Sequence, residues 1–271
     1  MYLTRHSTVN GPRWAADGMF LPEGMSLSML LGMDADMMRD VIDAAQTDIE
    51  ANGAILPPAE PVQEVWAAGV TYLRSREARM HESDTADIYD KVYDAERVEV
   101  FFKALGRRVM GHGQPIRVRR DSRWNVPEPE LTLVINANGD IVGYTAGNDV
   151  SSRDIEGANP LYLPQAKVYT GSAALGPGIV LCNADDQRDL PIVMQIRRRG
   201  EKVFSGEIRT SQLKRSLEEI AEWLLCELDF PAGVFLMTGT GIVPDDEFSL
   251  SAGDHVRIEV GSLALENEVK S

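Results

Sequence analysis

Residues 126–154 read VPEPELTLVINANGDIVGYTAGNDVSSRD. Apolar runs over 131–135 and 141–145 flank Asn138-Gly139, a dipeptide that tolerates the positive φ values of a tight hairpin turn. With Asn138 and Gly139 as a two-residue turn, Ala137 faces Asp140 and paired residue numbers sum to 277. Glu128 then lies opposite Asp149. Glu130 shares their face, because side chains two apart on a strand point the same way. Directly opposed residues have Cβ atoms roughly 5 Å apart. Three like charges that close repel unless a cation lies among them, and an all-oxygen donor set suits Mg2+, with Mn2+ and Ca2+ as alternatives. The competing reading of Glu128-Pro129-Glu130 is a solvated strand face. Pro127 and Pro129 speak against a regular central strand, so this stretch is expected at an edge or in an irregular segment.

Outward from the hairpin the chain is rich in strand signals. Residues 65–72, 178–182, 192–197, 202–206 and 256–260 are strand-like, and Arg199-Gly200 marks a second turn. One helix is predicted over 211–229, with Leu213, Leu217, Ile220, Leu224 and Leu228 at helical spacing and Pro231 beyond its end. Another is predicted over 34–51, with Met37, Met38, Val41, Ile42 and Ala45 on one stripe. Pro57, Pro58 and Pro61 divide a small acidic, methionine-rich N-terminal region, 1–61, from a main body, 62–271. The polar, mixed-charge stretch at about 75–100 reads either as a solvated connection or as a lid over a site. The fold class expected is strand-rich α+β.

The 271 residues carry 42 acidic and 27 basic side chains, a formal net charge of −15. Sequence-independent binding to nucleic acid or to an anionic membrane needs clustered positive charge, so both classes of partner are disfavoured. No stretch reaches the roughly 18 apolar residues of a membrane span. The first residues lack the apolar run of a signal peptide, and Cys182 and Cys226 sit in no CxxC pair. A cytoplasmic protein without a disulfide framework is the expectation.

Several segments together resemble the fumarylacetoacetate hydrolase superfamily: PEPEL, GYTAGNDVSSRD, QAKVYTGSAALGP, LMTGTGIVP and the later AGD. The resemblance spans about 62–268. It implies a mixed β-sandwich roll, a homodimer or homotetramer, and Mg2+ on Glu128, Glu130 and Asp149, with Lys167 and Thr240 matching the family's lysine and threonine. C–C hydrolases of the family carry N-Y-x-x-H-x-x-E after the first core strand, where His and Glu activate water. Here that stretch is Thr71-Tyr72-Leu73-Arg74-Ser75-Arg76-Glu77-Ala78. Ser75 replaces the histidine and Ala78 the glutamate; His81 and Glu82, just downstream, substitute only if the segment shifts by a turn. GVTYLRSREAR, YDKVYDAERVEVFFKA and NPLYLPQAKVY are similar instead to the family's 2-keto-3-deoxy-D-arabinonate dehydratase branch, which places a catalytic glutamate before its FFK motif, here Glu99 before Phe101-Phe102-Lys103.

That branch implies a Mg2+-dependent dehydratase acting on a 2-keto-3-deoxy pentonate and giving 2,5-dioxopentanoate. A cation on the carboxylate and ketone oxygens favours enolate formation at C3, and the C4 hydroxyl is then lost. Glu99 and Lys167 are the candidates for proton transfer, and either can be the base. Ser75, Arg79, Lys103, Arg153 and Thr240 are the expected substrate contacts, with an Arg153–Asp154 ion pair as the structural alternative for that arginine. The runner-up activity is Mg2+-dependent C–C hydrolysis of a 2,4-diketo acid, of the acylpyruvate or diketo-deoxy sugar acid type. A third reading is a binding protein that kept the metal fold without turnover.

Overall fold

The computed structural model describes residues 1–75 and 92–271. Strands Pro129–Ile135 and Ile141–Asp149 form the expected antiparallel hairpin, pairing Pro129 with Asn148, Leu133 with Tyr144 and Val134 with Gly143. The register is the one inferred above, but the connection differs. Asn136 N–H bonds the Asp140 carbonyl, and Asn136 Oδ1 accepts from the amides of Asn138 and Asp140. The loop therefore has three residues, 137–139, not two. A three-residue loop moves the pairing by one position. A bulge moves it back, because Val142 is left over between the Val134–Gly143 and Ile135–Ile141 pairs.

The hairpin lies inside an eleven-stranded mixed sheet. The main path runs Met19–Phe20, Gly11–Ala16, Tyr2–Thr8, Ala173–Leu181, Ile141–Asp149, Pro129–Ile135, Val234–Met237, Glu64–Ala68 and Val100–Leu105. Ile55–Leu56 adds to Tyr2–Thr8, and Val109–Met110 adds to Ala173–Leu181. Pro129–Ile135 is thus central, which corrects the edge expectation in part. Its pairing with Val234–Met237 begins only at Thr132, so residues 129–131 have a strand neighbour on one side alone. The two prolines sit at or before this half-open end.

A second, five-stranded sheet is ordered Glu201–Arg209, Pro191–Arg198, His255–Val260, Leu263–Lys270 and Ile116–Arg117. Strand alternation distributes the hairpin between two cores. Leu131, Leu133 and Ile135 pack with Ile192, Met194, Val256 and Ile258 of the second sheet and with Leu217, Ile220 and Leu224. Val134, on the opposite face, packs with Phe235, Met237, Leu27, Leu30, Met38 and Ile42. Burial on both faces accounts for the unbroken apolar run 133–135. Arg199 and Gly200, both at positive φ, make the expected tight turn between Arg198 and Glu201.

The helices are shorter than their apolar periodicity. Ala35–Ala45 starts on Asp34, whose side chain accepts the Met37 amide, and it buries Met38 and Ile42. Leu217–Leu225 starts on Ser216, whose hydroxyl accepts the Glu219 amide at 3.1 Å. Leu213 falls outside that helix and bridges to Tyr72 instead. Residues 1–61 supply four strands to the large sheet, and Tyr2–Thr8 pairs directly with Ala173–Leu181. Most of the stretch at 75–100, with Arg79, His81 and Glu82, lies outside the described residues. Among the described residues no helix is long and apolar enough to cross a membrane. Both cysteines are free thiols.

Leu133 is fully buried between the two sheets. Leu133→Ala is expected to lower the unfolding free energy by about 2–5 kcal/mol, read from the midpoint of a urea titration.

Candidate active site

The half-open end of the hairpin carries the carboxylates. Glu128 precedes the strand, Glu130 is its second residue, and Asp149 ends the partner strand, with the Asp149 amide bonded to the Glu128 carbonyl at 2.9 Å. One oxygen from each carboxylate lies within 4.8 Å of the others, and the three residues are 3, 1 and 1% exposed. Their Coulomb repulsion at this depth demands compensation.

Three cations from three other elements supply part of it. Lys167, the last residue of the helix Leu163–Lys167, donates to Glu128 Oε2 at 2.7 Å, Asp149 Oδ2 at 3.0 Å and Ser151 Oγ at 2.8 Å. Arg153, the first residue of the helix Arg153–Ala158, pairs with Glu128 Oε1 at 2.9 Å. Lys103, on Val100–Leu105, pairs with Asp149 Oδ1 and donates to the carbonyls of Val150 and Lys167. Burial pushes the Lys103 ammonium below its ordinary pKa, and Asp149 opposes that shift. Glu130 receives the Gly239 amide at 2.6 Å. Its carboxyl is pushed well above the ordinary range, first by burial and then by Asp149 and Glu128.

The donor set fits a hard divalent cation: three carboxylates, oxygen only, mutually within reach, with Glu130 in a surrounding that disfavours its charge until more positive charge is added. Gly239 contributes through its backbone. It sits at φ +91°, and a Cβ there would fall 2.1 Å from Thr71 Oγ1, so only glycine brings its N–H to Glu130 at this point.

A small pocket opens beside the triad. Glu128, Glu130, Lys167 and Thr240 line it, and so do Ser75 and Glu99. Glu99 is half-buried, with its carbonyl bonded to the Gly69 amide at 3.1 Å. A Cβ on Gly69 would stand 2.1 Å from Glu99 Oε2, so the missing side chain is what lets this carboxylate lie against the backbone. The next residue, Val70, holds φ +53°, a strained conformation for a β-branched side chain, and it also faces the pocket. The Phe101 ring lies 5.6 Å from Lys167 Nζ.

Two expected substrate contacts are placed elsewhere. Lys103 is fully buried behind Asp149, and Arg153 is buried behind Glu128; neither lines the pocket. Their charge is directed at the triad. The alternative Arg153–Asp154 pair is not formed. Asp154 instead accepts from Ser122 Oγ at 2.6 Å and from the Arg123 amide at 2.7 Å. Ser75 and Thr240 do line the pocket, and Arg79 lies outside the described residues. Sequence reasoning missed Glu156, a buried carboxylate in the pocket wall. The available signal was its position one helical turn after Arg153, which has meaning only once Arg153 is known to grip Glu128.

A buried oxygen triad, two of whose members line a pocket on this strand-rich α+β scaffold, fits the site of an enzyme that uses a divalent metal. The family model described as fumarylacetoacetate (FAA) hydrolase C-terminal matches residues 64–270, and the chain belongs to that family. A probable 2-keto-3-deoxyxylonate dehydratase of Haloferax volcanii is 45% identical over 232 residues, 85% of this chain and 78% of the relative. The 2-dehydro-3-deoxy-D-arabinonate dehydratase of Saccharolobus solfataricus is 43% identical over 222 residues, 80% of this chain and 72% of the relative. A solved structure of 2-keto-3-deoxy-D-arabinonate dehydratase complexed with magnesium and 2,5-dioxopentanoate superposes with a TM-score of 0.84 at 34% identity, covering 100% of this chain and 99% of that one.

Two substitutions separate the supporting charges from the pocket groups. Lys103→Met removes the cation behind Asp149 and is expected to cost about 3–5 kcal/mol of unfolding free energy in a denaturant titration. The three atoms nearest to a Cβ on Gly69 all belong to the Glu99 side chain, so Gly69→Ala is expected to leave the thermal midpoint nearly unchanged. Displacing that carboxylate by about 1 Å is expected to lower kcat roughly 100-fold.

Proposed function

We propose that the chain is a Mg2+-dependent hydro-lyase that dehydrates a 2-keto-3-deoxy pentonate to 2,5-dioxopentanoate, with Glu128, Glu130 and Asp149 as the metal ligands. The observation that carries this reading is the convergence of Glu99 and Lys167 on the pocket that Glu128 and Glu130 also line. The two dehydratase relatives and the magnesium- and product-bound neighbour support it.

When bound, the divalent cation supplies Lewis acidity and positive charge for the carboxylate and 2-keto oxygens of the substrate. The remaining work belongs to side chains. Removal of a C3 proton needs a base within reach of that carbon; Glu99 and Lys167 line the pocket and are the candidates. Lys167 also keeps Glu128 and Asp149 together, holding one oxygen of each. Thr240, whose Oγ1 is fixed by the Ile242 backbone, and Ser75 present hydroxyls to the substrate. Loss of the C3 proton and the C4 hydroxyl leaves 5-hydroxy-2-oxopent-3-enoate. Moving one hydrogen from C5 to C3, and one from the C5 oxygen to C4, makes the isomeric 2,5-dioxopentanoate.

C–C hydrolysis of a 2,4-diketo acid is the weaker reading. It needs a base that activates water, and among the described residues no histidine lines the pocket. Ser75 stands at the family's histidine position. Assembly as a homodimer or homotetramer, and a cytoplasmic location, are part of the proposed reading.

The test is product analysis with Mg2+ on a small panel of 2-keto-3-deoxy and 2,4-diketo acids. The expected product has lost one water and keeps all its carbon atoms. Cleavage of a diketo acid into two carbonyl fragments, faster than any dehydration, would overturn the proposal. Chelation is expected to abolish turnover and Mg2+ to restore it, with Mn2+ and Ca2+ compared at the same step. Asp149→Asn should not be rescued, and full activity of that variant after chelation and Mg2+ re-addition would remove Asp149 from the metal site.

A further inference from the structure

Glu156 is 3% exposed, on the helix Arg153–Ala158, and it faces the same pocket as Glu99 and Lys167. Among the described residues, Glu99 and Glu156 are the two carboxylates of that pocket wall outside the Glu128, Glu130 and Asp149 triad. Its placement is rigid. Arg153, one turn earlier, is locked to Glu128 at 2.9 Å, and the Arg153 amide is bonded to the Trp124 carbonyl at 2.8 Å. The helix that carries Glu156 is therefore anchored to the triad itself. Buried ionisable groups in a cleft are where acid–base chemistry is usually found, and Glu156 is such a group by position.

We propose that Glu156 is the general acid that protonates the departing C4 hydroxyl, working with Glu99 as the base at C3. This inference rests on the dehydratase reading and assigns a step within it. Glu99 takes the C3 proton, and the carbonyl conjugated to C3 holds the electron pair. That pair then forms the C3=C4 bond as the C4–O bond breaks. Hydroxide takes the Glu156 proton and leaves as water. Glu99 is now protonated and Glu156 ionised.

The isomerisation that follows resets both groups. Glu156 removes a proton from C5, the carbon next to the one that lost the hydroxyl, and Glu99 returns its proton to C3. The resulting C4=C5 enol becomes the aldehyde by gaining a proton at C4 and losing one from oxygen. Net proton exchange with solvent over the cycle is zero, and one water is released. A single carboxyl at the C4–C5 end thus serves both steps.

The experiment follows C3 hydrogen–deuterium exchange and water loss together, by NMR in D2O, on the Mg2+-loaded enzyme with a 2-keto-3-deoxy pentonate. Glu156→Gln keeps the shape and removes the transferable proton. Its dehydration is expected to fall about 100-fold or more while C3 exchange stays within about threefold of wild type. Glu99→Gln should lose both. Glu156→Asp retains an acid and is expected to dehydrate faster than Glu156→Gln at similar C3 exchange. Three results would overturn the assignment: near-wild-type dehydration by Glu156→Gln, equal loss of exchange and dehydration in that variant, or equal impairment of the Gln and Asp variants. Failure of the wild-type enzyme to dehydrate any 2-keto-3-deoxy acid would instead remove the dehydratase reading. An active wild type with an unaffected Glu156→Gln removes only the role of Glu156.

Discussion

Three carboxylates packed within 4.8 Å of one another, and almost fully out of water, are the constraint around which the site is arranged. Left alone they would not remain ionised in the interior. Lys167 and Arg153 grip Glu128, and Lys167 and Lys103 grip Asp149. Each cation comes from a different element, so the charge balance also fixes the positions of two short helices and a strand. Glu130 makes none of these ion pairs. Its compensation is the Gly239 amide, with Lys167 acting through space, and this leaves its carboxyl pushed upward.

The same balance bears on substrate choice. Three carboxylates facing three cations make a nearly neutral cluster, so a divalent cation bound among them turns the local charge positive. An anionic keto acid then meets a favourable field inside a protein whose formal net charge is −15. The pocket wall adds two further carboxylates, Glu99 and Glu156, both outside the cluster of triad and cations. Lys167 belongs to both sets, holding Glu128 and Asp149 while lining the pocket. Lys103 and Arg153 are buried against Asp149 and Glu128 and do not line the pocket.

The hairpin register shows how a correct inference can rest on an incomplete premise. A two-residue turn predicts Glu128 opposite Asp149. The chain reaches that pairing with a three-residue loop, organised by the Asn136 side chain, and a compensating bulge at Val142. Every residue from Pro129 to Ile135 is buried, so burial alone does not choose the register; the three-residue loop and the one-residue bulge shift the pairing by equal and opposite amounts. Helix ends were less legible. Apolar spacing suggested 211–229, whereas the Ser216–Glu219 cap and the capture of Leu213 by Tyr72 shorten the helix to Leu217–Leu225.

From sequence alone came the strand-rich α+β class, the carboxylate triad and its face, and the family resemblance that marked Glu99 and Lys167. All of these depend on short-range periodicity or on contiguous motifs. The tertiary structure decided the rest. It placed the N-terminal strands against Ala173–Leu181, buried Lys103 behind Asp149, and paired Arg153 with Glu128. It also brought Glu156 into the pocket with Glu99. These are contacts between segments far apart in the chain, where a side chain's partner is set by how sheets and helices pack and leaves no local pattern to read.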